Sequence, residues 1–227
     1  MDKKGPRSIG VIMDGNRRWA KERGLPTLEG HKAGAEKIFE VADWAHAAGV
    51  EEVILYTFST ENWQRTEEEV GYLMRLAEHL FTEELARFEE AGVRVRFIGD
   101  LARASDRIQA VMREAELRTK DGSKGTMVFA FSYGGRPEIL AAVNRLLSEG
   151  KGPVDEAGFK DAMWSAGLLD PDLILRTGGD RRLSNFLSWQ SAYSELFFLD
   201  TMWPDLSKEE FDGVLAEFGE RERRHGK

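Results

Sequence analysis

Ile9-Gly10-Val11-Ile12-Met13-Asp14-Gly15-Asn16-Arg17-Arg18-Trp19 is the stretch on which the reading of this chain turns. Its first half is apolar and short, the pattern of a buried strand. Its second half changes character at once, to one acid, a Gly-Asn pair, two arginines and a tryptophan. A strand, a tight polar turn and then a helix is how an α/β sheet presents a ligand, at the carboxyl end of a strand. The turn offers a carboxylate for a metal ion, backbone N–H groups at a helix start and two guanidinium forks. Together these suit a phosphorylated, metal-bound ligand. The same residues also fit an ordinary turn leading into a solvated basic helix, so the rest of the chain must decide.

With 227 residues, 41% of them hydrophobic and 32% charged, the chain can build a sizeable core and has a soluble globular composition. The absence of cysteine excludes disulfides, thiolate nucleophiles and thiolate metal sites. That fits a reducing compartment, and a cytoplasmic location is the expectation. No signal-peptide core follows Met1 and no apolar run approaches membrane-spanning length, so at most peripheral membrane contact is expected. A net charge of −8 argues against a nucleic-acid partner. Arginine is nevertheless clustered, at Arg17 and Arg18, at Arg176, Arg181 and Arg182, and at Arg221, Arg223 and Arg224. The last cluster also fits a solvated, dipole-compensating helix terminus.

Working outward, Trp19 to Arg23 predicts a short helix ended by Gly24 and Pro26. A second helix is expected from His31, with apolar spacing through Ala35, Ile38, Phe39, Ala42 and Ala45 to a stop at Gly49. Val53 to Phe58 is a continuous apolar run, as in a strand covered on both faces. Thr66-Glu67-Glu68-Glu69 has the pattern of a capping box opening one long helix, with a stripe from Val70 to Phe88 and a stop at Gly92. Strands follow at Val93–Ile98, Thr126–Phe131, Asp172–Arg176 and Glu195–Leu199, with helices between them and a final one capped by Ser207 and Glu210. Strands alternating with helices through short loops predict one domain over residues 1–227. Its fold class is α/β, a largely parallel central sheet of about six strands flanked by helices.

Polar clusters close successive strands at Asp14–Arg18, Ser59–Trp63, Ser132–Arg136 and Arg176–Ser184. In a parallel sheet those ends share one edge, which would gather Asp14, Asn16, Arg18, Asn62, Arg176, Arg182 and Ser184. Arginine forks, a hydroxyl and backbone amides are diphosphate ligands, and a lone carboxylate among them suits Mg²⁺. No Walker segment, dinucleotide fingerprint or nucleophile elbow is present, and His31, His46, His79 and His225 are scattered. Only His31, expected at a helix start, is well placed for phosphate. Trp19, Trp63, Phe129 and Phe131, with the long helix stripe, fit either plain core or the walls of a hydrophobic tunnel, and pattern alone favours core. A diphosphate edge beside an apolar channel would describe an isoprenoid diphosphate.

Met13-Asp14-Gly15-Asn16-Arg17-Arg18-Trp19-Ala20, Gly30-His31, Phe58-Ser59-Thr60-Glu61-Asn62-Trp63 and Tyr133-Gly134-Gly135-Arg136 occur in that order. Arg176-Thr177-Gly178-Gly179 follows, with Arg182, Ser184-Asn185-Phe186 and Glu195. Together they resemble the motifs of the cis-prenyltransferases, the family of undecaprenyl diphosphate synthase, over nearly the whole chain. The resemblance implies Mg²⁺-dependent condensation of isopentenyl diphosphate with an allylic prenyl diphosphate. Asp14 would be the essential carboxylate and Mg²⁺ ligand, and Glu195 would complete the metal environment. Gly15, Asn16, Arg17, Arg18 and Trp19 would cradle the allylic diphosphate, with His31 assisting. Ser59, Thr60, Glu61, Trp63 and Arg65 would line the substrates, with Asn62 helping proton removal. Glu69 would sit on a segment that closes over the site. Arg176, Arg182 and Ser184 would hold isopentenyl diphosphate. Arg224-His225-Gly226 would reach a partner subunit's site, implying a homodimer.

The sequence departs from the family pattern at Thr27, where many long-chain members carry arginine, at Arg181 in place of a histidine and at Ser132 in place of an asparagine. Phe131 is bulky where long-chain members are small, which fits either a shorter product or simple packing. A branched, lavandulyl-type synthase, a non-catalytic partner subunit and a carrier of isoprenoid diphosphates are the rival expectations. Retention of Asp14, Asn62, Arg176 and Arg182 argues against the partner subunit, and retention of Asn16, Ser59-Thr60-Glu61-Asn62-Trp63 and Glu195 against the branched-product synthase. A carrier would show binding without diphosphate release.

Overall fold

The structure is a computed structural model and describes residues 5–221. Six strands, β1 (Ser8–Ile12), β2 (Glu52–Ser59), β3 (Arg94–Ile98), β4 (Thr126–Tyr133), β5 (Leu173–Arg176) and β6 (Glu195–Phe198), form one sheet in the order β3-β4-β2-β1-β5-β6. Every pairing is parallel. The helices are α1 (Asn16–Glu22), α2 (Thr27–Ala47), α3 (Glu67–Thr82), α4 (Leu85–Ala91), α5 (Asp106–Thr119), α6 (Gly135–Ser148), α7 (Glu156–Ala162) and α8 (Lys208–Glu220).

Strand residues alternate between two apolar layers. Ile9, Val11, Val53, Leu55, Met127 and Phe129 join the larger core beneath α2 to α5 and α8, while Ile12, Ile54, Val128, Ala130 and Tyr133 face a smaller one on the other side. Burial on both faces explains why β1, β2 and β4 read as continuous apolar runs. From β1 the chain goes to β2 on one side, and the later crossover returns to β5 on the other. The crevice of such a sheet opens where the order reverses. Ile12 pairs with Arg176 there, so the turn after β1 meets the end of β5.

Three local expectations are corrected. The apolar stripe predicts one helix to Gly92, but the chain bends between Thr82 and Leu85. The Thr82 hydroxyl donates to the Glu78 carbonyl at 2.8 Å, and the N–H groups of Glu83 and Glu84 both go to the His79 carbonyl. Hydroxyl back-bonding of this kind bends helices. It turns Phe88 under the sheet, 6.0 Å from Phe129. Helix α2 begins at Thr27 behind Pro26, so His31 lies one turn inside it and not at its start. The capping box at Thr66 is only half formed: Thr66 accepts the Glu69 N–H, but the Glu69 carboxylate turns away into the crevice. Helices α1 and α2 touch closely at Gly30, where a Cβ would stand 2.0 Å from the Asn16 carbonyl oxygen.

Candidate active site

The turn after β1 is stapled to the loop after β5. The Asp14 N–H donates to Thr177 Oγ1 at 3.1 Å, Thr177 Oγ1 donates to the Asp14 carbonyl at 2.8 Å, and the Trp203 N–H reaches the same carbonyl at 3.0 Å. Gly15 makes the turn at φ +107°, and a Cβ there would stand 2.8 Å from Met202 Cβ, so glycine is required. The Asp14 carboxylate is thereby held over the crevice. Its Oδ2 accepts from Arg176 Nη2 at 2.7 Å and its Oδ1 lies 3.6 Å from Arg18 Nη2.

Arg176 organises the edge. Only 3% exposed, it also donates from Nη1 to Ser184 Oγ at 2.8 Å and to the Arg182 carbonyl at 2.5 Å. Asp180 lies 3.4 Å from Arg176 Nη2 and 2.6 Å from Arg182 Nη2. Arg182 beside it, with Arg176 and Arg18, holds the Asp180 carboxyl below its ordinary value. Two acids and three arginines thus occupy one crevice.

Glu69 gathers a second set of groups, the cations Arg65 at 2.8 Å and Arg17 at 4.0 Å and the imidazole of His31, whose Nε2 lies 3.5 Å away. Burial, and then the Arg65 charge, lower the His31 pKa below 6.5, and Glu69 does not reverse this. His31 is neutral at pH 7 and its buried Nε2 has no hydrogen-bond partner. In the turn after β2, Asn62 Oδ1 accepts the Ser59 N–H at 2.9 Å. Asn62 is therefore anchored through its acceptor, leaving its NH₂ as the free group. Glu61 accepts from Thr60 Oγ1 at 3.2 Å and from Asn185 Nδ2 at 3.2 Å. Partial burial opposes its ionisation, but hydrogen bonds from its own N–H, Ser59, Asn185 and Thr60 outweigh this and lower its pKa. Trp63 Nε1 donates to Ser132 Oγ at 3.0 Å. Ser132 sits at φ +49°, a conformation that asparagine tolerates better.

Asp14, Arg17, Arg18, His31, Arg65, Arg176, Ser184 and the Glu61–Asn62 turn border a polar hollow in two lobes. One, of about 630 Å³, is lined by Asp14, Gly15, Asn16, Arg17, Arg18, Lys21, Thr27, His31 and Arg65. The other, of about 380 Å³, is lined by Asp14, Ser59, Glu61, Asn62, Arg65, Arg176 and Ser184. Met13, Asn16 and His31 border both lobes and also an apolar cavity of about 90 Å³. That cavity runs between α2, α3 and the sheet, against Ile38, Phe58, Leu73, Leu76, Leu80, Phe81, Phe129, Phe131 and Trp203.

Three expected site residues are not brought together with the rest. Trp19 faces away from the crevice, where its Nε1 donates to Asp205 Oδ1 at 2.7 Å and Arg23 stacks on its ring. Glu195 is the first residue of its parallel strand, paired in register with Leu173, so it stands at the opposite edge from Asp14. Its carboxylate pairs with Arg221 at 2.8 Å. Within one chain it cannot share an ion with Asp14. Arg224, with Arg223, His225 and Gly226, lies outside the described residues. Sequence reasoning gave no role to Asp180, nor to Thr177 and Asn185, although the last two stand within the family motifs. All three stand in the polar loop after β5, whose density of charge and glycine was the available signal.

The undecaprenyl diphosphate synthase family profile matches residues 12–226. The chain belongs to the cis-prenyltransferase family. The prenyltransferase is 42% identical over 225 residues to an isoprenyl transferase of Thermotoga maritima, covering 97% of each chain. It is 43% identical over 228 residues to the (2E,6E)-farnesyl-diphosphate-specific ditrans,polycis-undecaprenyl-diphosphate synthase of Pseudomonas aeruginosa, covering 98% of this chain and 91% of that one. Among solved structures, lavandulyl diphosphate synthase from Lavandula x intermedia in complex with dimethylallyl diphosphate superposes with a TM-score of 0.94 over all of both chains, at 28% identity. As in these relatives, the chemistry is transfer of a prenyl group. No helix among the described residues is long and apolar enough to cross a membrane.

Proposed function

We propose that this prenyltransferase condenses isopentenyl diphosphate with an allylic prenyl diphosphate of the geranyl or farnesyl type, releasing diphosphate and forming a (Z)-polyprenyl diphosphate. The observation that carries the proposal is the continuity of the two hollows through Met13, Asn16 and His31. A ligand with a charged head and an apolar tail fits across that junction.

Arg17 and Arg18 would bind the allylic diphosphate in the larger lobe, close to Asp14. Arg176, Arg182 and Ser184 would bind isopentenyl diphosphate in the other, exchanging their contacts with Asp14 and Asp180 for phosphate oxygens. Arg176 and Arg182 already make such charge-assisted hydrogen bonds to Asp14 and Asp180, at 2.7 Å and 2.6 Å. Among the described residues no three ligating side chains cluster to cage a metal. Mg²⁺ fits nonetheless, because it accepts one or two carboxylates plus substrate phosphates, and Asp14 supplies the carboxylate. Bound there, Mg²⁺ would offset the charge that develops on the departing diphosphate. Asn62, with its oxygen committed to Ser59, would orient a substrate oxygen by N–H donation and would not take the proton.

The apolar cavity, about 90 Å³, is smaller than the engineered ~150 Å³ cavity that holds benzene. A prenyl tail therefore enters by parting Leu73, Leu76 and Leu80 of α3 from α2, and the packing around Phe131 sets how far it runs. A short to medium chain is the reading this supports, with an undecaprenyl-like one requiring wider separation. We also place the enzyme in the cytoplasm as a homodimer, in which a second copy could bring Glu195 and Arg224 to the site.

The test is incubation of the purified chain with labelled isopentenyl diphosphate, Mg²⁺ and dimethylallyl, geranyl or farnesyl diphosphate. Elongated cis products and Mg²⁺-dependent diphosphate release are expected, and light scattering should report a dimer. No turnover with any starter overturns the reading. The overlay on lavandulyl diphosphate synthase favours one competitor, head-to-middle coupling of dimethylallyl units, and a branched product would establish it instead.

A further inference from the structure

The loop after β5 carries three non-glycine residues with positive φ, Ser184 at +49°, Asn185 at +66° and Leu187 at +45°. Such a run persists only where its surroundings over-determine it. The determinant is Asn185. Its carbonyl accepts the Gly135 N–H at 2.7 Å, its Oδ1 accepts the Arg136 N–H at 2.9 Å, and its Nδ2 donates to Glu61 Oε1 at 3.2 Å. The first N–H groups of a helix need acceptors, normally from the N-cap side chain. Helix α6 has Gly134 at its N-cap, where a Cβ would stand 2.7 Å from Asn185 Nδ2 and 2.8 Å from Thr60 Oγ1. The cap is supplied instead by a residue distant in sequence, which also holds the turn after β2. Its neighbour Ser184 bonds to Arg176, and the Ser184 carbonyl accepts from Tyr56 Oη at 3.3 Å.

We propose that Asn185 is a positioning residue that fixes the spacing between the Arg176–Ser184 anion site and the Glu61–Asn62 turn, with the start of α6 as its anchor. The assignment of isopentenyl diphosphate to that anion site rests on the function proposed above; the positioning itself does not.

Asn185→Asp separates this role from folding. The side chain keeps its shape, its acceptor for Arg136 and its tolerance of positive φ, and only the donor facing Glu61 becomes a repelling carboxylate. The expected result is a rise of about tenfold in KM for isopentenyl diphosphate, less than about threefold in KM for the allylic substrate, and a melting temperature within a few degrees of the parent. Adding Glu61→Gln restores a donor–acceptor pair of reversed polarity. The double variant should then bind isopentenyl diphosphate better than the product of the two single effects allows. Equal shifts in both KM values, no shift, or multiplicative single effects overturn the proposal. Calorimetric titration with inorganic pyrophosphate runs in parallel on all four proteins. If the parent turns over no prenyl substrate, the proposed function falls while the pyrophosphate cycle still decides the positioning. Affinity lowered about tenfold in Asn185→Asp and recovered in the double variant supports it. Equal affinities refute it.

Discussion

Phe131→Ala tests whether the apolar cavity is the product-measuring part of the molecule or ordinary core. Phe131 is 3% exposed, stacks on Phe58 with ring centroids 5.3 Å apart and lines the cavity beside Phe129. Truncation loses the transfer free energy of the ring and leaves a void, typically about 3–5 kcal/mol in total for a buried phenylalanine. At about 2–4 °C per kcal/mol for a chain of this size, the melting temperature should fall by roughly 10 °C. The void opens toward a prenyl tail, however. A further isoprene unit entering it buries five carbons, worth on the order of 4 kcal/mol at ~0.8 kcal/mol each. That gain is large enough to move the product distribution by at least one unit.

Two assays are needed together. Product sizing with labelled isopentenyl diphosphate should show longer chains than the parent makes, and thermal melting with the longer product bound should recover part of the lost stability, because the tail refills the void. Phe131→Leu should do both to a smaller extent. If Phe131→Ala melts lower but makes an unchanged product, Phe131 is core alone and the cavity does not measure the chain.

Asp14→Asn keeps the volume of the side chain but removes the charge facing Arg176 and any Mg²⁺. Turnover should fall by about 10²-fold or more, with far-ultraviolet circular dichroism unchanged, and near-normal turnover refutes the role given to Asp14. His31 has its pKa lowered by burial, so the unfolded chain binds its proton more readily. Its contribution to stability is complete above pH 6.5 and is lost as pH falls below that value. Urea midpoints from pH 8 to 5 should therefore decline less steeply in His31→Gln than in the parent, and identical slopes would refute the assignment. Glu138 is fully buried and accepts from Tyr133 Oη at 2.5 Å, Gln190 Nε2 at 2.9 Å and the Ser165 N–H at 2.8 Å. Glu138→Leu strands those donors at about 1–3 kcal/mol each, which denaturant titration should register as a loss of several kcal/mol. Gly30→Ala places a methyl 2.0 Å from the Asn16 carbonyl and should lower the melting temperature while raising KM for the allylic substrate, since α1 must shift away from α2.

The sheet was readable because β1, β2 and β4 are covered on both faces and so appear as unbroken apolar runs, each closing on a polar cluster. Strand order was not readable, since nothing local in Asp14 says that its neighbour is Arg176, 162 residues away. What decides that contact is the crossover from β4 to β5, a property of the whole chain. The helix bend at Thr82 was hidden for a similar reason, because the apolar stripe continues through it and only a hydroxyl turned onto its own backbone marks the break. Trp19 was misplaced because α1 has only seven residues, too few for its period to show that Ala20 is the buried face.

Glu195 teaches something different. Its position at the head of a strand could be read directly from the sequence, and in a parallel sheet that places it on the edge opposite every strand-end cluster. The family motif nevertheless groups it with Asp14. A shared ligand for Glu195 and Asp14 would therefore require the second copy of the chain proposed above. The present partner of Glu195, Arg221, stacks on Phe197. Asp14 meanwhile is neutralised by Arg176 and needs no second carboxylate to stay in place. Arg176 and Arg182 are therefore already paired with acids of the chain, and a diphosphate must displace those carboxylates to reach them. Binding should then weaken with salt less steeply than the count of arginines suggests, because part of each arginine's charge is already met by an acid of the chain.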